Sequence, residues 1–345
     1  MKIDIRKIQK AELDDYFVEK GLPKYRSDQV WTWLWQKQKY SFEEMRNIPK
    51  SLLEILDNDF VINPVTNDKS QVSIDGTIKN RIQLHDGHMV ESVLIPVPET
   101  NRYTACVSSQ VGCSLTCKFC ATGQMKLRRN LDPAEIFDQV SMLNDQCKST
   151  YDHPLSNIVY MGMGEPMLNY KNVMKSIDHI TSTDGLAMSP KRITISTVGI
   201  AKMIRRLADD NSKVNLALSL HAADDEKRSK IMPINDQNDL SSIVDSLKYY
   251  YERTKNRISY EYISFKGFND SREDAKKLAE LCRFFPVRVN IIEYNPIDGV
   301  DFERSSSVSI DLFAQILRER KIMVTVRKSR GMDIDAACGQ LANKG

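Results

Sequence analysis

From Tyr103 onward the chain alternates short β-rich runs with helical stretches, and this pattern constrains the fold more than any other feature. The runs are YTACVSS, NIVYMGMG, KRITIST, VNLALSLH, RISYEYISF and RVNIIEYN. Between them lie DPAEIFDQVSMLNDQC, NYKNVMKSIDHITS, IAKMIRRLAD, DLSSIVDSLKYYYERT and REDAKKLAELCRFF. SIDLFAQILRER then adds a sixth helix, and a final strand, MVTVRK, leads into the tail. Such alternation predicts a parallel α/β architecture, and six units suit a partial (β/α)6 barrel better than a closed eightfold one.

Two smaller regions precede it. Residues 1–62 read as a helical accessory domain. A helix around AELDDYFVEKGL stops near Gly21 and Pro23, and SDQVWTWLWQKQ starts another with Ser27 as the expected N-cap. Trp31, Trp33 and Trp35 cannot all share one helix face, so one or two are expected in the core, leaving another free to stack on bases. Residues 63–100 read as a β-hairpin extension, with Asp75-Gly76 and Asp86-Gly87 as turns between apolar runs. Glu91 stands at the start of ESVLIPVP, where the plain expectation is a strand-end charge in solvent. Residues 101–345 form the barrel and its C-terminal tail.

The loop after the first barrel strand carries the chemistry. Cys113, Cys117 and Cys120 read C-x3-C-x2-C. Thiolates this close, outside a secreted disulfide framework, usually hold a metal or an iron–sulfur cluster. A four-iron cubane held by three cysteines keeps one iron without a protein ligand, and an open position is where metal chemistry happens. The alternative, structural zinc, wants a fourth ligand nearby. The next candidates, Cys147 and His153, lie beyond a whole helix, so zinc is the weaker reading.

Polar residues at the ends of the strands converge independently. Gly164 and Glu165, Ser196, Ser219 with His221, and Asn295 follow strands two, three, four and six, and in barrels the active site lies at the C-terminal ends of the strands. Alternation puts Asn215, Ser219 and His221 on one face of their strand, and Thr104, Cys106 and Ser108 on one face of the first.

Composition excludes some classes. No segment approaches 18 consecutive apolar residues, and the start MKIDIRKIQK is charged, so a soluble, cytoplasmic protein with no membrane partner is expected. The odd number of cysteines suits a reducing compartment. The net charge is only +3, yet no acidic residue lies between Thr100 and Leu131, and Arg318 to Arg330 holds six basic residues against Glu319 alone. Two basic runs beside the reactive elements favour a polyanion such as RNA. Arg128, Arg129, Arg327, Lys328 and Arg330 are the candidate phosphate contacts.

The spacing of the cysteines, with Phe119 before the last, resembles the radical SAM signature. With CVSSQVGC, MGMGEP, ITISTVG, SLHA, EYNP and DIDAACGQL, the chain resembles the RlmN family across nearly its whole length. These are radical SAM enzymes that methylate C2 of an adenosine in 23S rRNA (at the peptidyl transferase centre), and several also act on adenosine 37 of certain tRNAs. The resemblance implies a [4Fe-4S] cluster on Cys113, Cys117 and Cys120, and S-adenosylmethionine (SAM) held by Gly164, Glu165, Ser196, Ser219, Leu220, His221 and Asn295. It implies a methyl-carrying Cys338, a resolving Cys106 and, over a less distinctive stretch, Glu91 as proton acceptor.

The implied route uses two SAM per turnover. One methylates the Cys338 thiolate; the second yields a 5′-deoxyadenosyl radical that takes hydrogen from that S-methyl group. The resulting carbon radical adds to C2. Loss of the C2 proton and attack by Cys106 release the product and leave a Cys106–Cys338 disulfide. A flavodoxin- or ferredoxin-type electron donor and a monomer are implied as well. Two alternatives remain at this level: a related C8-specific adenosine methyltransferase, against which Pro166 argues, and a non-catalytic RNA-binding protein with a structural metal. Cys147 and Cys282 fall in helices and are read as core.

Overall fold

The fold is seen in a computed structural model, which describes residues 2–343. Its centre is one ten-stranded sheet whose spatial order follows the chain order. The strands are β1 (Thr66–Val72), β2 (Ile78–Gln83), β3 (Met89–Val97), β4 (Arg102–Cys106), β5 (Asn157–Tyr160), β6 (Ile193–Thr197), β7 (Asn215–Ser219), β8 (Ile258–Ser264), β9 (Val287–Glu293) and β10 (Met323–Arg327). From β4 to β10 every neighbour is parallel. The partial barrel expected from the alternation is present, and the expected final strand, MVTVRK, pairs parallel at its edge before the chain enters the tail. β1 to β4 pair antiparallel, so the hairpin extension continues the barrel sheet.

Six helices make the crossovers: α4 (Pro133–Tyr151), α5 (Tyr170–Thr181), α6 (Ala201–Asp209), α7 (Leu240–Thr254), α8 (Arg272–Leu281) and α9 (Ser307–Glu319). Local chemistry sets their starts. At α4, Pro133 occupies the first turn and the Glu135 carboxylate accepts from the Asp132 N–H at 2.9 Å, closing a capping box. Cys147 is buried in α4 as expected, whereas Cys282 caps the end of α8 and is only half-buried.

The N-terminal region packs α1 (Lys10–Glu19), α2 (Tyr25–Trp31) and α3 (Lys50–Asp59) beside a two-strand pairing of Ile3–Asp4 with Phe60–Val61. Ser27 is not an N-cap. The helix begins two residues earlier at Tyr25, and the Ser27 hydroxyl, buried, donates to Lys24 O at 2.7 Å. The helix then widens into a π-turn over Thr32–Gln36. This turn re-aims the tryptophans, and none is left exposed for a base. Trp33 and Trp35 are buried; Trp31 is half-buried against them. The Trp35 ring stacks on His179 of α5 at 3.5 Å and meets Phe137 of α4 edge-on. The tryptophans therefore join this region to the barrel helices. Arg6 adds a buried fork, donating to both Asp138 oxygens at 2.8 Å.

After β10 the chain has little regular structure: one 3-10 turn, Met332–Ile334. It is held instead by side chains of the hairpin strands at the far end of the sheet. Asp75 accepts from Gly331 N–H at 2.9 Å, Asp333 accepts from the Ser73 hydroxyl at 2.5 Å, and Lys79 donates to Asp335 O at 3.4 Å. Glu91 Oε2 accepts from the backbone N–H of Ala342 and Asn343 at 2.9 and 3.1 Å, while Oε1 lies 3.4 Å from the buried Lys79 ammonium. The strand-end, solvent reading of Glu91 is thus wrong: the strand begins at Met89 and Glu91 is buried.

Glu91→Ala removes the acceptor of two tail amides and leaves Lys79 buried without its partner. Amide exchange at Ala342 and Asn343 should accelerate at least tenfold, equivalent to about 1.4 kcal/mol of easier local opening. Hydrogen exchange read by mass spectrometry on the C-terminal peptide tests it, and an unchanged rate would mean that the remaining contacts hold the tail alone.

Candidate active site

An open cavity lies at the C-terminal ends of the parallel strands. Met161, Gly162 and Gly164 to Pro166 after β5, Ser196 of β6 with Val198 just beyond it, Ser219 of β7 with His221 just beyond it, and Glu261 and Ile263 of β8 contribute to it in turn. Ile292, Arg327 and Cys338 complete the circuit.

The cysteine loop forms one wall. Gln110–Val111 pairs antiparallel with Arg129–Asn130, pinching off the segment between them. Gly112 allows the pinch: its φ is +76° and a Cβ there would sit 2.2 Å from Lys126 O. Leu115 and Phe119 turn inward onto Ile231, Met232 and Phe265, and Lys118 N–H donates to Ile231 O at 3.0 Å. Cys113, Cys117 and Cys120 all line the cavity. Burial raises all three thiols, Cys113 to about 11, so they call for a positive partner to be held as thiolates. Among the described residues no three His, Cys, Asp or Glu are gathered as a single ion requires. Cys147 lies in the apolar core, and His153 stacks on Tyr103. Neither lines the cavity. Three thiols on one loop facing a cavity are the donor set that a cubane cluster with one open iron uses.

The polar groups of the lining come from the strand ends. Gly164, at φ +92°, brings the backbone against Gln110, whose Oε1 accepts from Glu165 N–H at 2.8 Å. The buried Glu165 carboxylate accepts from the N–H of Met167 and Val198, both at 3.0 Å. Burial nevertheless pushes it up to about 7. An ammonium group arriving in the cavity would favour its charged form. The Ser196 and Ser219 hydroxyls are 3.3 Å apart. His221, at φ +55°, accepts at Nδ1 from Ile263 N–H at 3.1 Å, which leaves the proton on Nε2. Burial holds it neutral, with a pKa of about 3.

Other expected residues stand one step back. Leu220 and Asn295 are buried and outside the lining. Asn295 donates through Nδ2 to Cys338 O at 3.5 Å, and its Oδ1 is buried without a hydrogen-bond partner. Asn215 sits at the start of β7, away from the rim, donating to Lys191 O and Ile193 O. Glu91 is also outside the cavity, beneath the tail.

Cys338 is exposed to the cavity, on the tail between buried Ala337 and half-buried Gly339. Gly339 O accepts from Ala121 N–H at 2.7 Å, which puts this part of the tail directly on the cysteine loop. Protein packed around the thiol raises its pKa although cavity solvent reaches it; the Arg327 charge pulls the other way. Cys106, at the end of β4, is buried, and its thiol is raised strongly, first by burial and then by the charge of Cys338. The charge of Cys338 is thus felt at Cys106, which stands behind the cavity lining.

The basic candidates divide. Arg129 is occupied, donating to both Glu135 oxygens at 2.8 Å and to Asp86 at 2.5 Å, so it holds the loop's base instead of offering itself to phosphate. Arg327 lines the cavity, its Nη1 3.5 Å from Glu261 Oε2. Arg330 reaches Asp75 O at 3.4 Å. Arg128, Lys126 and Lys328 are exposed. Two residues escaped sequence reasoning: Glu261, in mid-strand without a motif, and Arg228, in the short helix Asp225–Ile231.

Comparison with known proteins agrees with the geometry. Residues 107–281 match the Radical SAM superfamily, and residues 3–62 match the Ribosomal RNA large subunit methyltransferase N-terminal domain. The chain is 53% identical to the "Probable dual-specificity RNA methyltransferase RlmN" of Christiangramia forsetii, over 99% of this chain and 97% of that one. It is 40% identical to the "Dual-specificity RNA methyltransferase RlmN" of Nautilia profundicola, over 98% of each. A crystal structure of a radical SAM methyltransferase from Sphaerobacter thermophilus superposes with a TM-score of 0.93 at 38% identity, over 99% of this chain and 100% of that one. Superfamily membership implies a [4Fe-4S] cluster and SAM, for which the thiol set and the polar groups of the lining are suited. The chain belongs to the RlmN family of radical SAM enzymes.

Proposed function

We propose that this enzyme methylates C2 of an adenosine in 23S rRNA, and of adenosine 37 in some tRNAs, by way of a methyl group carried on Cys338. The observation that carries the reading is the placement of Cys338 on the cavity wall that bears the three cluster cysteines, with Cys106 within reach of its charge. The printed names of the relatives, dual-specificity RNA methyltransferases, support the substrate class.

Cys113, Cys117 and Cys120 would hold the cluster, which when bound supplies the electron for reductive cleavage of SAM. Glu165 would accept from the SAM ammonium group, and Ser196 and Ser219 offer hydroxyls along the same wall. The Cys338 thiolate takes a methyl group by displacement, the SAM sulfur leaving as a thioether. That carbon, one hydrogen poorer, becomes bonded to adenine C2, which gives up its proton and one electron; the Cys106 thiolate then attacks the Cys338 sulfur, the electrons of the broken carbon–sulfur bond stay with the base, and its new carbon takes a proton to become the methyl group. Burial keeps both thiols protonated at rest, so each needs a proton acceptor at its own step. Glu91, the proton acceptor implied by the resemblance, spends Oε2 on the tail amides and keeps Oε1 without a hydrogen-bond partner.

Replacing any one of Cys113, Cys117 or Cys120 by Ala should lower bound iron and sulfide after anaerobic reconstitution and abolish 5′-deoxyadenosine formation. Full radical production by Cys117→Ala would sink the cluster assignment, and zinc without sulfide in the unaltered protein would favour a structural metal.

The two thiols should fail differently. Cys338→Ala should take up the cluster yet methylate no RNA, because no atom carries the methyl group. Cys106→Ala should stall as a Cys338–RNA adduct, seen as a nuclease-sensitive shift on a denaturing gel. Equal inactivity with no adduct would refute the two-thiol route, and mass spectrometry of the product nucleoside distinguishes C2 from C8.

RNA contact is expected at the exposed basic tip, Lys126 and Arg128. Their joint replacement by Ala should reduce the salt slope of binding by roughly 0.7 to 0.9 per lost phosphate contact. An unchanged slope would move the contacts elsewhere, whereas Arg129→Ala should chiefly loosen the loop.

A further inference from the structure

Arg228 is among the largest fully buried side chains, yet no carboxylate pairs with it among the described residues. Each of its acceptors is formally neutral. Nε donates to Leu220 O at 3.1 Å, Nη1 to the Asn235 amide oxygen at 2.6 Å, and Nη2 to Ser219 O at 3.3 Å and to Val198 O. Asp225 is reached only through Asn235, whose Nδ2 donates to Asp225 Oδ1 at 2.9 Å. A guanidinium stays charged in proteins, and a buried charge without a counter-ion costs several kcal/mol. Burial lowers even this group, to about 10. Some anion is missing from the account.

The position of Arg228 indicates which. Its acceptors Val198 and Ser219 line the cavity. Its helix, Asp225–Ile231, runs into Ile231, whose carbonyl accepts from Lys118 N–H between Cys117 and Cys120. Ile231 and Met232 share an apolar cluster with Cys117 and Phe119, and Cys113 and Cys120 pack against it. The charged neighbours that sense the guanidinium are Cys117, Asp225 and His221. His221 is neutral and Asp225 lies behind an amide, so the thiolate side is where its field goes uncompensated. Three thiolates outweigh the positive charge of an oxidised cubane, and the centre becomes more negative when it accepts an electron. The potential of such clusters follows net charge, hydrogen bonding and burial.

We propose that Arg228 is the fixed counter-charge of the three-cysteine cluster, a positioning residue that raises the cluster's reduction potential from behind the cavity wall. The same fork ties the ends of β6 and β7 together, so Ser219 and the charge are placed by one side chain. The inference rests on the cluster reading above. Iron and sulfide content test that reading, and the midpoint potential tests this one.

The experiment compares Arg228→Lys, which keeps the charge, with Arg228→Gln, which keeps polar contacts without it, after anaerobic reconstitution. Matched iron and sulfide content is required, and reduction is followed by electron paramagnetic resonance in a redox titration without substrate. Arg228→Gln should need a midpoint more negative by at least 59 mV, the equivalent of a tenfold loss of reduced cluster in a one-electron couple. Arg228→Lys should recover most of that shift. A midpoint unchanged in Arg228→Gln would overturn the proposal, as would equal shifts in both variants, which would assign the effect to the hydrogen-bond fork. If Arg228→Gln fails to fold, Asp225→Asn serves instead, since its carboxamide can still accept from Asn235 and Leu240. Removing this weakly opposing charge should move the midpoint upward, and no movement would refute an electrostatic link.

Discussion

The arrangement depends on the tail being held across the open side of the barrel. Seven parallel strands do not close, so β10 and the hairpin lie at opposite ends of one sheet. The chain leaves β10 and is fastened to Asp75, Lys79 and Glu91 on the hairpin. The tail therefore spans the gap that further strands would fill, and it carries Cys338 over the cavity as it crosses. A segment with so little secondary structure must satisfy its amides some other way. Here the carboxylates of the hairpin strands accept them. The antiparallel extension thus has a mechanical job: it supplies the second anchorage of the reactive segment.

Behind the cavity, buried charge is handled in two ways. Near the tail and the N-terminal region it is paired locally, as Glu91 with Lys79 and Arg6 with Asp138. At the cluster wall it is not: Arg228 bonds to carbonyls, three thiols are pushed up by burial, and Glu165 rests at about 7. Ion pairs closed within the protein hold shape. Groups left electrically open are the ones expected to meet a cofactor, because an incoming charge repays the desolvation already spent.

Much of this was legible from short-range pattern. Alternating strands and helices gave the parallel barrel, the cysteine spacing marked the loop, and polar residues after successive strands marked the rim. What failed has a common cause. Glu91 answers to Ala342 and Asn343, and Arg129 to Asp86 and Glu135; burial and distant partners leave no local trace. A run of basic residues could not show that Arg129 is spent on the loop while Arg128 is free to solvent. One of the three indoles looked available because helix periodicity splits them, and the π-turn that brings Trp31 and Trp35 to His179 carries no motif. Arg228 was the least visible, since an arginine in a charged helix reads as surface.

The two mechanistic thiols also differ in how freely they can move, and the difference suits the proposed chemistry. Cys106 belongs to a strand paired on both sides, to Val93 of β3 and to Val159 of β5, so its sulfur is fixed to the sheet. Cys338 itself makes one long contact, Asn295 to its carbonyl, while its neighbours are fastened: Gly339 O accepts from Ala121 N–H at 2.7 Å and Leu341 O from the Thr122 hydroxyl at 2.6 Å. A carrier must present its sulfur first to a methyl donor, then to a base, then to a second thiol. An exposed side chain on a lightly held residue can do that by rotation, with its fastened neighbours in place. A resolving thiol gains from the reverse, because attack in line with a carbon–sulfur bond depends on orientation, and orientation is what a mid-sheet strand provides. The thiol with an exposed side chain is therefore on the tail and the buried one in the barrel wall, and exchanging their places would lose both properties.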